Sequence, residues 1–98
     1  MLNESNSERA AFRAVVSGRV QLVMFRDFTQ RKASSVHLTG YVKNLPDNTV
    51  EVVAEGDKRN LLKLLELVRR GPVLAHVEDV RVEWVEPKGG YQKFSIQY

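Results

Sequence analysis

Gly18-Arg19-Val20-Gln21-Leu22-Val23-Met24-Phe25-Arg26, closed further on by Gly40-Tyr41-Val42-Lys43-Asn44, is the stretch whose reading decides the fold. Ahead of it, Phe12, Ala14 and Val16 alternate as the buried face of a strand running from Phe12 to Gly18. A short loop opened by Gly18 follows. It feeds a helix from about Phe25 to Val36 whose apolar stripe is Phe25, Phe28, Thr29, Ala33 and Val36. Loop amides, together with the free N–H groups of a helix start, form an anion-binding concavity. Arg26 falls in the first helical turn, where the macrodipole disfavours a cation by a few tenths of a kcal/mol. An anion in the loop would reverse that sign, because guanidinium and amides then share its charge. On pattern alone the plainer reading, an exposed arginine snorkelling over the helix, is preferred.

Working outward, Gly40 to Leu45 reads as the second strand, Pro46-Asp47-Asn48 as a turn, and Thr49 to Glu55 as a third strand with Val50, Val52 and Ala54 inward. Gly56-Asp57 marks a second helix with Asp57 as N-cap. Its stripe is Leu61, Leu64, Leu65 and Val68, widened by Leu62 and Leu67, and Arg69-Arg70-Gly71-Pro72 ends it. Val77 to Val85 is the fourth strand, with Val80, Val82 and Trp84 inward. A Pro87-Lys88-Gly89-Gly90 turn then leads to a last strand, Tyr91 to Tyr98, carrying Phe94 and Ile96. The order βαββαβ plus a short final strand predicts an α+β, ferredoxin-like sandwich: two helices on one face of a mainly antiparallel sheet. Residues 1–10 read as a mobile tail and residues 11–98 as the domain.

The nonapeptide from Gly18 to Arg26, with Asn44 eighteen residues after the arginine, resembles the acylphosphatase family signature. Gly71-Pro72, Trp84 and the ending Tyr91, Phe94, Ile96, Tyr98 resemble the same family. The chain departs from the pattern at Leu22, where the family usually has a second glycine, and at Asp47-Asn48, where it usually has Asp-Gly. The resemblance implies a ferredoxin-like fold and hydrolysis of carboxyl–phosphate anhydrides. It implies Arg26 and Asn44 as catalytic residues, and a phosphate site built from Gly18, Arg19, Val20, Gln21, Leu22, Val23 and Arg26. Asn44 would position the attacking water, and inorganic phosphate would be product and inhibitor.

Composition narrows the alternatives. Ninety-eight residues with a 43% hydrophobic fraction suit one soluble domain with a modest core. There are no cysteines, so no disulfide framework and no thiolate nucleophile or ligand. His37 and His76 lack acidic neighbours at ligand spacing, and Ser17, Ser34 and Ser35 lack a base nearby, so no metal or other cofactor is expected. Glu78, Asp79, Glu83 and Glu86 read as the solvated side of a strand rather than as acid–base partners. A net charge of +3 suits an anionic partner without specifying one. A polar start without an apolar core, and no membrane-length apolar run, predict a cytoplasmic protein; a monomer is expected. The reading from another class is an inert ferredoxin-like binding module for RNA or protein. The outward positions Arg13, Val15, Ser17, Glu51, Val53 and Glu55 make a poor base-stacking surface, which argues against nucleic acid.

Overall fold

The computed structural model describes residues 8–21 and 24–98. The elements are β1 (Arg9–Arg19), α1 (Phe25–Ser35), β2 (Thr39–Asn44), β3 (Val50–Asp57), α2 (Lys58–Arg70), β4 (His76–Val85) and β5 (Phe94–Gln97). The strands form one sheet in the order β4-β1-β3-β2-β5, antiparallel except for the β2–β5 pair. This is the βαββαβ architecture with an added strand. The tail read over residues 1–10 lies mostly outside the described residues, and β1 begins at Arg9, paired with Asp57.

Alternation on the two central strands builds the core. Phe12, Ala14 and Val16 on β1 and Val50, Val52 and Ala54 on β3 are all fully buried under the helices. Phe25, Thr29 and Ala33 cover them from α1, and Leu61, Leu64, Leu65 and Val68 from α2. The helix ends follow their sequence signals. Asp57 accepts from the Arg59 amide (2.8 Å) at the start of α2, and Gly71 takes a positive φ at its end. At the end of α1, His37 turns left-handed while its amide reaches Ser34 O and that of Leu38 reaches Ala33 O, a Schellman closure.

Two apolar residues sit differently from their expected places. Leu62, expected to widen the stripe of α2, is 50% exposed on the flank of that helix. Trp84 does face the helix side, edge-on to Phe12 at 5.6 Å, but β4 is a sheet edge and the indole stays 43% exposed beneath Lys58.

The larger correction concerns the other face. Pro87-Lys88-Gly89-Gly90, read as a turn into a strand from Tyr91, does not join neighbouring strands: β4 and β5 occupy opposite edges of the sheet, and β5 begins only at Phe94. Residues 86–93 instead cross the outer face. Glu55, expected to be solvated, is 3% exposed and accepts from the amides of Lys88 (3.0 Å) and Gly89 (2.9 Å). Tyr91 packs edge-on against Tyr41. Glu51 is buried as well, held by Arg13 and by the Tyr41 hydroxyl (2.9 Å). Burial and the Glu51 carboxylate push the Tyr41 phenol up to about 12. Glu55→Ala should cost about 2–4 kcal/mol, since two strap amides lose a charged acceptor inside the protein. Denaturant unfolding checks this, and a loss under about 0.5 kcal/mol would mean the strap is held by its other contacts.

Candidate active site

The strands decide where the site forms. β1 and β2 both run antiparallel to β3, and β5 runs parallel to β2, so Arg19, Asn44 and Gln97 end at the same side of the sheet. Helix α1 starts at that side and packs on β2 and β5. Its first internal bond runs from Phe28 N to Met24 O (3.0 Å), and among the described residues no side chain caps its N-terminus. The amides of Phe25, Arg26 and Asp27 therefore have no partner within the helix, and the positive end of its dipole faces the open side.

A cavity of about 400 Å³ lies there, lined by Val20, Met24, Phe25, Arg26, Asp27, Asn44, Ile96 and Tyr98. Arg26 stacks its guanidinium on the Tyr98 ring, 4.9 Å from the centroid. Among the described residues no carboxylate pairs with Arg26, while Asp27 beside it is tied to Arg31 at 3.0 Å. Asn44 ends β2 with its Oδ1 buried and without a hydrogen-bond partner among the described residues. A buried acceptor left unpaired costs about 1–3 kcal/mol, which a ligand or a water at that atom would recover.

Of the residues expected at the site, Arg26, Asn44 and Val20 line this cavity. Gly18 and Arg19 lie back along β1 against Val77 and His76. Gly18 stands at a β-bulge with φ 122°, where a Cβ would run into the His76 carbonyl; the glycine serves the close approach of β4. The Gln21 side chain donates to Leu45 O and Thr49 O. Leu22 and Val23 lie outside the described residues. Among the described residues no three His, Asp or Glu side chains cluster as metal ligands do. Sequence reasoning missed Tyr98, Ile96, Asp27, Met24 and Phe25. The first two come to the site only through the parallel β2–β5 pairing, for which the chain offers no local signal.

The acylphosphatase family profile matches residues 12–96. The chain belongs to the acylphosphatase family. An acylphosphatase of Dehalococcoides mccartyi is 51% identical over 87 residues, covering 88% of this chain and 96% of its own. The crystal structure of the Bacillus subtilis acylphosphatase superposes with a TM-score of 0.87 at 39% identity, over 91% of this chain and 99% of its own. That of an acylphosphatase from Coxiella burnetii gives 0.87 at 34% identity, over 99% and 100%. The chain is accordingly an acylphosphatase-type hydrolase, with a small acyl phosphate as substrate and phosphate as product. No helix among the described residues is long and apolar enough to cross a membrane.

Backbone strain lies beside this cavity at Met24, which takes φ 61° and ψ 25° at the N-cap of α1. A left-handed residue with a Cβ costs about 1–2 kcal/mol, and Met24, 71% exposed, has little packing to offset it. Met24→Gly should stabilise the protein by about 0.5–1 kcal/mol after the added unfolded-state entropy is subtracted. A lower denaturant midpoint in that variant would contradict the strain.

Proposed function

We propose that the phosphoryl group of the acyl phosphate sits on Arg26 and the amides from the Gly18–Val23 segment into the first turn of α1, and that Asn44 orients the attacking water. The water oxygen bonds to phosphorus and the bond from phosphorus to the acyl oxygen breaks. The carboxylate leaves with that electron pair, and the water proton passes to a phosphoryl oxygen. The parent acid of the leaving group has a pKa of about 4, so no general acid is needed. What the protein supplies is placement of the water and charge opposite the equatorial phosphoryl oxygens.

One observation carries this reading: Arg26, the uncapped start of α1 and the unpartnered Oδ1 of Asn44 converge on one cavity. Its volume of about 400 Å³ suits a small acyl phosphate. The enzyme works without a metal or other cofactor, as a cytoplasmic monomer, with residues 9–98 as the working domain. Nucleic acid is not a partner. The test is hydrolysis of benzoyl phosphate in ¹⁸O-labelled water with a chelator present. The label should appear in inorganic phosphate at an unchanged rate. Label in benzoate would place the attack on carbon, and loss of rate restored by a divalent ion would make the enzyme metal-dependent.

A further inference from the structure

Beyond Arg26 and Asn44, the described residues that line the cavity offer one further charged side chain, Asp27. The rest of that lining, Val20, Met24, Phe25, Ile96 and Tyr98, is aliphatic or aromatic. Asp27 sits in the first turn of α1, directly after Arg26, and its side chain is 44% exposed. Arg31, one turn further along the helix, meets its Oδ2 at 3.0 Å through Nε and stands outside the described lining. The helix dipole favours an acid in the first turn, which is reason enough for Asp27 in the fold. A carboxylate on the wall of a cavity that takes an anion nevertheless carries a repulsion that a neutral residue would avoid. Its sign therefore bears on what else can enter.

We propose that Asp27 is a specificity-determining residue that sets the charge of the acyl group: uncharged, apolar acyl groups are accepted, and acyl groups carrying a second carboxylate are disfavoured. This rests on the reading above, in which Arg26 and the start of α1 hold the phosphoryl group. With that cation committed, the acyl group is left with the apolar lining and an acid. A carboxylate of its own would lose water without finding a partner among the described lining residues, and would meet the like charge of Asp27. Arg31 tempers that charge from outside, as an exposed ion pair does, so the two side chains together set the strength of the discrimination.

The experiment compares kcat/KM for benzoyl, para-carboxybenzoyl and para-aminomethylbenzoyl phosphate on wild type, Asp27→Asn and Arg31→Gln. Each charged probe is read as a ratio to benzoyl phosphate on the same protein, so effects of a variant on the phosphoryl group or on the fold cancel. Comparing those ratios between proteins cancels the intrinsic reactivity of the probes. Asp27→Asn should raise the carboxybenzoyl ratio at least about threefold and lower the aminomethylbenzoyl ratio by a similar factor. Arg31→Gln should move both ratios the opposite way, and all of these shifts should shrink at high salt. Asp27→Asn ratios within about twofold of wild type would overturn the proposal and leave Asp27 its role at the helix start alone. So would a shift of both ratios in the same direction, the mark of an altered cavity shape rather than an altered charge. If wild type leaves benzoyl phosphate intact, or Arg26→Ala keeps wild-type kcat, the reading of the site fails first and the role of Asp27 falls with it.

Discussion

Replacing Arg26 by alanine should lower kcat for an acyl phosphate by about 10³-fold or more, which corresponds to roughly 4 kcal/mol of transition-state stabilisation. On the proposed reading, the charge that spreads over the phosphoryl oxygens in the transition state meets Arg26 at the positive end of α1, and alanine removes the only arginine among the described residues that line the cavity. The fold should survive. Arg26 is half-buried at the rim of the site, and its stacking on Tyr98 is worth about 0.5–1 kcal/mol. A typical domain has about 5–15 kcal/mol in hand. Arg26→Lys should recover less than about tenfold of the loss. An ammonium cannot span two phosphoryl oxygens as a planar fork does, and its stacking on Tyr98 differs. A lysine variant close to wild-type turnover would remove bidentate recognition from the account.

Asn44→Ala should separate turnover from binding. Its Oδ1 is a buried acceptor at the end of β2, suited to accept a hydrogen bond from the attacking water, while in the proposed reading phosphate is held by Arg26 and the start of α1. The expected result is a fall of about 100-fold or more in kcat, with inhibition by inorganic phosphate changed by less than about threefold. The stability cost should be small or even negative, because the variant deletes an unsatisfied buried oxygen. Equal losses in kcat and in phosphate affinity would move Asn44 from the water to the phosphoryl group. Denaturation midpoints for both variants show whether the loss is chemical or structural.

The sequence was most informative where one face of an element is buried and the other is not. The alternation of Phe12, Ala14, Val16 and of Val50, Val52, Ala54, with Phe25, Thr29, Ala33 of α1 and Leu61, Leu64, Leu65, Val68 of α2, is buried in the fold as read. Local end signals such as Asp57 and Gly71 also appear where read. What escaped was set by tertiary placement. Pro87-Lys88-Gly89-Gly90 reads as a turn, yet the strands on either side occupy opposite edges of the sheet. Glu55 looks like a solvent-facing acid and is instead the anchor of the strap that crosses the outer face. Trp84 carries the right face but sits on an edge strand, where little covers it.

The same division runs through the site. Arg26 and Asn44 were legible through a familial spacing, and the fold sets both on one cavity. Tyr98, 93% exposed yet stacked on Arg26, was not, because its place depends on β5 lying parallel beside β2. Gly18 carries a further reason that the sequence did not show, the close approach of β4 to β1.

The most direct measurement is a titration of the ¹⁵N-labelled protein with inorganic phosphate, followed by amide chemical shifts. The account predicts that the amides of Phe25, Arg26 and Asp27 and the side-chain amide of Asn44 shift together and saturate with one dissociation constant, equal to the inhibition constant against benzoyl phosphate. Shifts that leave those groups unmoved and gather on the outer sheet face around Arg13 and Arg81 would contradict it.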